Sequence, residues 1–407
     1  MGVKKVLAEV FDEISLSSNE ENSLKKLAKE ILLKIKSTGL KAFIGGSLAK
    51  GTLVKNSNIR DVDIFVVFKN ETELSELGKI LKKAGFDAKV IHGSRDYFHI
   101  LVGEVLFEII PVVKFKKISE ANNVTDVSLT HVKYITGKIK KDNHLAREIK
   151  LAKAFCSANN VYGAESYIGG FSGYSLEVLV SYFGSFAKFL RGINKKRIID
   201  PEKYFKNNNE IMRELNLSKL QSPVILIDPT YKYRNVCAGL HEETYKRFLK
   251  VVNLFLKNPS KDFFYKKDFN LSEFKKSAKL ENADFLSFSL STDRQEGDIA
   301  GTKMKKMVRI ISEQLTFKNQ EVLKKEFIYC GGKDAKAYFI VRFKDKLKVL
   351  GPPRFMDEQV KSFKKKHKNT FLEKKNIFAY EKFDRVKFFK NLKKIGNEVG
   401  VKFKLSK

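Results

Sequence analysis

The chain has 407 residues, more than one hydrophobic core usually organises, so two or three domains are expected. Its 79 Lys and Arg exceed 47 Asp and Glu by a formal +32 spread along the whole length, which points to a polyanionic partner or else to a Lys-rich soluble surface. Cys156, Cys237 and Cys330 stand isolated, which excludes a disulfide framework or a cysteine-built zinc site, and no segment approaches the roughly 18 uninterrupted apolar residues of a membrane span.

The opening "MGVKKVLAEVFDEISL" mixes acids and bases where a signal peptide would carry an apolar run, so a cytoplasmic protein with no membrane partner is expected. Residues 19–36 then place Leu24, Leu27, Ile31, Leu32 and Ile35 at helical spacing behind an acidic first turn. "AFIGG" reads as a short strand ending in a glycine turn, "SLAKGT" as a brief helix and "VDIFVVF" as a buried strand. A helix over 72–84 follows, and "KVIHG", "YFHILVG" and "VLFEIIPVVKF" complete a small sheet. Residues 145–160 carry Leu145, Ile149, Ala152 and Cys156 on one helical face, and "YSLEVLVSYFGSFAKFL" (174–190) reads as one long, more apolar helix. After "NPSKDFF" (258–264) the texture changes. "DFLSFSLS" alternates as a strand, 298–316 is amphipathic, and "FIYC" and "KAYFIVRF" return to strand, a β-α-β-β order. The densest charge run, "VKSFKKKHKN" (360–369), is either a solvated helix face or a nucleic-acid contact.

Chemistry concentrates in "GGSLAKGTLVKNSNIRDVDIFV" (45–66). Side chains alternate along a strand, so Asp61 and Asp63 share one face while Val62 and Ile64 anchor the other. Two adjacent carboxylates repel unless a cation sits between them, so a divalent metal is the economical occupant; a solvated D-x-D at a strand start is the plainer alternative. Upstream, Gly45 and Gly46 allow a tight turn and close backbone approach. Ser47 opens the next helix with a hydroxyl beside unpaired N–H groups, and Lys50, on the same side, can reach a triphosphate oxygen.

"GGS" followed by "DVDIF" resembles the polymerase-beta-like nucleotidyltransferase superfamily, whose third carboxylate matches Glu108 in "EVLFEIIPVVKF". That set of Asp61, Asp63 and Glu108 implies two-metal nucleotidyl transfer with Mg²⁺. "DVSLTHVKYI" (126–135), "NNVYGAE" (159–165), "GFSGYSLEVLVSYFGSF" (170–186), "DPTYKYRNVCAGL" (228–240) and "LGPPRF" (350–355) resemble the archaeal, class I CCA-adding enzymes, or tRNA nucleotidyltransferases, and extend the resemblance over nearly the whole chain. It implies an α+β fold: a polymerase-beta-like head (1–138), a mainly helical middle domain for nucleotide recognition and tRNA binding (139–260), and an α+β, RRM-like body and tail that bind tRNA (261–407). Ser47 and Lys50 would hold the triphosphate, His131, Lys153 and Tyr162 would line the nucleotide pocket, and Arg234 would read the base. A guanidinium has only donors, which suit the acceptors of C and A and clash with the donors U and G present there. The partners implied are ATP, CTP and tRNA, gripped at its acceptor stem and T-arm by shape and backbone.

Departures from the family pattern are local. Glu108 stands where aspartate is usual, Lys50 where arginine is frequent, and Arg95 where histidine is usual, so no role is carried onto the nearby His99. A poly(A) polymerase or oligoadenylate-synthetase-like enzyme, or an inactive RNA-binding homologue, remains the alternative. Whether the protein pairs as a homodimer, which metal serves, and whether one protein adds all three nucleotides are open from sequence.

Overall fold

The computed structural model describes residues 2–55, 60–93 and 95–406, which separate into two units, 1–267 and 268–407. Residues 56–59, between the glycine turn and the carboxylate strand, lie outside the described residues. An unforeseen helix, α1 (Val3–Ile14), comes first. A capping box starts α2 (Ser18–Lys36): Glu20 N donates to Ser17 Oγ at 3.3 Å and Ser17 N to the Glu20 carboxylate at 2.9 Å. Then come β1 (Lys41–Ile44), α3 (Gly46–Lys50) and β2 (Arg60–Phe68). The helix expected over 72–84 starts as a 3₁₀ turn, Glu71–Glu76, before α4 (Leu77–Lys83). Strands β3 (Lys89–Ile91), β4 (Tyr97–Val102) and β5 (Val105–Val113) complete a sheet of order β1-β2-β5-β4-β3, in which only β2 and β5 run parallel. Val62, Ile64, Val66, Phe107 and Ile109 pack with Leu24, Ala28 and Ile31 of α2 into one core.

The helical layer follows with α5 (Ser128–Lys141) and α6 (Leu145–Ala158), then α7 (Gly173–Phe183) and α8 (Phe186–Gly192). These last two replace the single helix expected over 174–190. Gly184 turns left-handed at φ +81°, and the Ser185 hydroxyl accepts from Lys188 N at 3.2 Å to start the next helix. Beyond them lie β6 (Ile198–Ile199), α9 (Asn208–Glu214), α10 (Leu217–Leu220), the hairpin β7 (Ile225–Asp228) and β8 (Tyr231–Asn235), and α11 (Glu242–Lys257). Phe155, Phe186, Phe255 and Phe264 meet at centroid distances of 5.4 to 6.2 Å in the core of this layer. Val6, Leu7, Val10 and Ile14 of α1 join this core rather than that of the sheet, so the N-terminal helix packs with residues more than a hundred positions away.

In the second unit, α12 (Leu271–Leu280) precedes β9 (Asp284–Ser291), α13 (Asp298–Phe317), β10 (Glu321–Tyr329) and β11 (Asp334–Arg342). An inserted sheet of β12 (Lys346–Pro353), β13 (Thr370–Glu373) and β14 (Asn376–Lys382) follows, carrying α14 (Asp357–Lys366) between its first two strands. Helix α15 (Arg385–Glu398) and β15 (Lys402–Ser406) then close a four-stranded antiparallel sheet of order β10-β11-β9-β15. Counting only this sheet and its two helices, α13 and α15, the order is β-α-β-β-α-β, the arrangement of RRM-like domains. The lysine run of 360–369 falls mainly on α14, with Lys361, Lys364, Lys365 and Lys366 exposed and Phe363 half-buried, an amphipathic helix with a solvated basic face.

One buried carboxylate ties α3 to the helical layer. Glu177 of α7, with no exposed side-chain surface, accepts from Lys50 Nζ at 2.6 Å, Lys153 Nζ at 2.7 Å and Thr52 Oγ1 at 3.0 Å. Burial alone would raise its pKa; Lys153 and then Lys50 overturn that and hold it at about 2. A carboxyl depressed in this way stabilises the fold fully above its unfolded pKa, and the contribution disappears as pH falls toward 2. Glu177→Gln leaves two buried ammonium groups facing only neutral partners, the new amide and Thr52, so urea denaturation near pH 7 is expected to show a loss of about 3–5 kcal/mol. A loss below about 1 kcal/mol would mean that the lysines find water and that the carboxylate does not secure this joint.

Candidate active site

Alternation along β2 puts Asp61 and Asp63 on one face, and the parallel register of β5 sets Glu108 directly beside Asp63. Val62 and Ile64, on the reverse face, are fully buried and hold the strand in place. Burial raises the pKa of Asp63 to about 7, with the Glu108 charge adding to the rise and Lys50 opposing it. Asp61 is raised as well, by desolvation first and by Glu108 second. His99, opposite Glu108 across the β4–β5 ladder, brings Nε2 to 3.1 Å from Glu108 Oε1.

The glycine turn presses against these carboxylates. Gly45 N donates to the Asp63 carbonyl at 2.8 Å. Gly46 adopts φ +56°, and a Cβ there would overlap the Asp63 carboxylate; a Cβ on Gly45 would overlap the Phe65 ring. Neither position accepts a side chain in this arrangement. Ser47 lies half-buried in the first turn of α3, and Lys50 in its last turn points to Glu177. Sequence alone assigns Lys50 to a phosphate; the structure shows its ammonium paired within the protein and sharing one acid with Lys153.

Tyr162 feels the charges of both groups. Its hydroxyl pKa is pushed upward by burial first, then by the charges of Glu177, Glu165 and Asp63, so it remains an O–H donor. Room for it depends on Gly173, where a Cβ would approach Tyr162 Oη to 3.0 Å and Lys153 Cε to 3.8 Å. Beyond Lys50 lies a second cluster around the buried Asp228. His131 Nε2 is 3.2 Å from Asp228 Oδ2, and Arg234 Nη1 donates to the same oxygen at 2.7 Å. Tyr174 Oη donates to Oδ1 at 3.1 Å, and the Tyr174 ring stacks on His131 with centroids 3.9 Å apart. Burial lowers the His131 pKa, and the charges of Arg234 and Lys50 reinforce this against the pull of Asp228, which keeps the imidazole neutral near pH 7.

Arg95 serves the scaffold. It is buried against Asp126 and the Pro111 carbonyl, and Asp126 also accepts from Val113 N at 2.7 Å, locking the end of β5 to the turn before α5. Three residues of the site escape sequence reading: Glu177, Asp228 and Tyr174. Glu177 has a legible signal, a lone acid inside the apolar run "LEVLVSYF"; Asp228 and Tyr174 carry none beyond ordinary turn and helix positions.

Among the described residues no three His, Cys, Asp or Glu side chains converge as a ready-made metal cage. Asp61, Asp63 and Glu108 instead crowd negative charge on one sheet face, where desolvation first and the Glu108 charge second raise the pKa of both aspartates. That all-oxygen donor set fits a hard divalent cation.

Residues 24–127 match the family described as nucleotidyltransferase domain, and residues 147–265 the one described as tRNA nucleotidyltransferase, second domain. Between them these spans hold every site residue expected from sequence except His131. A cytoplasmic RNA terminal U-transferase shares the fold, with a TM-score of 0.51 at 16% identity over 65% of this chain and 98% of that one. The CCA-adding enzyme of Methanocaldococcus jannaschii is 28% identical, covering 93% of this chain and 87% of that protein. The CCA-adding enzyme of Nanoarchaeum equitans is 34% identical over 340 residues, 81% of this chain and 80% of its counterpart. Identity of that level over four-fifths of both proteins makes the chain a member of the CCA-adding enzyme family.

Proposed function

We propose that this protein adds C, C and A to the 3′ end of tRNA from CTP and ATP without a nucleic-acid template, releasing pyrophosphate, and that it repairs incomplete 3′ ends. The observation that carries the reading is Asp63 set against Glu108 beneath the Gly45-Gly46 turn, in a chain of this family. Asp61, Asp63 and Glu108 would hold a pair of Mg²⁺ ions. When bound, the ions supply the positive charge that eases ionisation of the RNA 3′-hydroxyl and offsets charge on the departing pyrophosphate. Ser47, the shared Lys50–Glu177–Lys153 group and the Tyr162 hydroxyl orient the triphosphate from the opposite side, and Arg234 with His131 faces the base. Selectivity follows from donors alone: the guanidinium pairs with acceptors on C and A and meets donors on U and G. The excess of basic residues suits an RNA held by backbone and shape at the acceptor stem and T-arm, in the cytoplasm.

Four-nucleotide incorporation on tRNAs ending before C, after C and after CC tests this directly. Labelled C is expected on the first two substrates, A on the third, and neither U nor G on any. ATP-only tailing of arbitrary RNA would establish a poly(A) polymerase instead, and absence of incorporation with tRNA still bound would leave an inactive RNA-binding protein.

A second expectation concerns protons. The Asp63 carboxyl is raised to about 7, so below that pH a proton competes with the cation. The apparent Mg²⁺ requirement should therefore rise about tenfold for each pH unit below 7, measured as the half-saturating Mg²⁺ for CTP incorporation. Stability runs the other way. A carboxyl whose folded pKa lies above its unfolded value makes the metal-free protein less stable as pH rises between the two. Asp63→Asn is expected to abolish incorporation, to leave tRNA affinity within about twofold, and to raise the metal-free Tm above pH 7 by a few degrees, with the gap closing toward pH 4. A flat Mg²⁺ requirement from pH 6 to 8 would show that Asp63 is already ionised without metal.

A further inference from the structure

Arg234 does not stand alone. It sits on β8, six residues after Asp228 at the end of β7, and the intervening hairpin folds back so that its Nη1 donates to Asp228 Oδ2 at 2.7 Å. Asp228 is itself fixed from every other side. Its Oδ1 accepts from Thr230 N at 2.8 Å, from Thr230 Oγ1 at 2.7 Å and from Tyr174 Oη at 3.1 Å, the first of these being a local turn in which an aspartate side chain replaces a backbone carbonyl. His131 Nε2 lies 3.2 Å from Oδ2 and 3.1 Å from Arg234 Nη1, and its ring stacks on Tyr174. The β7 strand that ends in Asp228 is buried throughout, and the Asp228 side chain has no exposed surface, whereas the Arg234 side chain keeps 24% of its own. Among the described residues, Arg234 Nη2 and Nε have no hydrogen-bond partner, so the guanidinium is anchored by one nitrogen and offers the rest of its fork outward.

This geometry divides labour between a residue that can reach a nucleotide and one that cannot. Arginine carries considerable rotamer freedom, and a guanidinium free to swing can turn its donors away from a mismatched base, which erases the penalty for donor-against-donor contact. A guanidinium held in one orientation cannot escape in that way. We propose that Asp228 is a specificity-determining positioning residue: without touching substrate, it locks Arg234, with Tyr174 and Thr230 locking Asp228 in turn, so that C and A are told from U and G. The inference rests on the reading of Arg234 as the base-facing group.

The test measures kcat/KM for CTP, UTP, ATP and GTP on tRNAs ending before C and after CC, using Asp228→Asn, Tyr174→Phe, Arg234→Ala and the Asp228→Asn/Arg234→Ala pair. In Asp228→Asn, the preference for C over U and for A over G is expected to fall about 10- to 100-fold, toward the level that pocket shape alone provides. Affinity for tRNA should stay within about twofold. Tyr174→Phe, which keeps the ring stack and removes one donor from the same carboxylate, should lower the preference about threefold in the same direction. In the double variant the preference should equal that of Arg234→Ala alone, because Asp228 has no target left to hold.

Equal loss of activity on all four nucleotides in Asp228→Asn, with the preference unchanged, would overturn the proposal and leave Asp228 a structural acid. If that variant does not fold, an unchanged preference in Tyr174→Phe overturns it equally. Should Arg234→Ala itself keep the full preference, the base-facing reading of Arg234 fails, and with it this inference; a preference lost in Arg234→Ala but kept in Asp228→Asn refutes only the positioning role.

Discussion

Two lysines and one carboxylate, closed off from water, hold the site in register. Lys50 comes from the short helix after the glycine turn, Lys153 from α6 and Glu177 from α7, so the group joins three elements whose chain positions span 127 residues. Neither lysine can leave without stranding charge, because the Glu177 side chain is fully buried and those of Lys50 and Lys153 are only 9% and 7% exposed. The group still carries a net charge of about +1. Its position relative to Asp63 is set by the same contacts, since Lys50 and Lys153 both act on the Asp63 carboxyl.

Opposed electrostatic conditions therefore lie side by side. The cations are satisfied before any substrate arrives, and the carboxylates are not: desolvation raises Asp63, and Glu108, abreast of it, raises it further. Preorganisation of this kind places the reorganisation cost in folding rather than in the reaction. Unfavourable terms at Asp61 and Asp63 must be balanced elsewhere, which is consistent with the heavily aromatic core of the helical layer and with the buried joint at Glu177. Asp228 repeats the logic at the other end of the site, with four donors on its two oxygens, His131 Nε2 beside them, and a pKa driven down by His131 and Arg234 against the cost of burial.

Periodicity made the head legible. Alternation in "RDVDIF" placed both aspartates on one face without any knowledge of the sheet, and the need for glycine before Ser47 followed from the turn. What periodicity could not supply was partnership across long chain separations. Nothing local says that Glu177 meets Lys50 rather than solvent, although an acid in an otherwise apolar helix had to find a cation. The break at Gly184 was also obscured, because the residues on both sides keep a helical pattern and only the left-handed glycine followed by the Ser185 cap ends it. Helix α1 was hidden by its mixed charge, yet its apolar stripe of Val6, Leu7, Val10 and Ile14 is spaced for burial.

The second unit makes a different use of the same residue types. It carries 34 Lys and Arg against 18 Asp and Glu, so 34 − 18 gives +16, half of the chain's +32 on about a third of its length. One face of its four-stranded sheet packs on α13 and α15 through Phe288, Leu290, Ala337 and Phe339. In an RRM the other face stacks bases on aromatic side chains from the two central strands, here β9 and β11. That face is already taken where the aromatics lie. Tyr338 is 6% exposed, stacked against Phe269 at 5.1 Å and Phe285 at 5.9 Å and in contact with Phe274 of α12. The topology is RRM-like, but the aromatics of its would-be stacking face are packed into core. Charge on the exposed lysines is what this unit has left to offer a polyanion, and an interaction of that kind follows the backbone of an RNA rather than the identity of its bases.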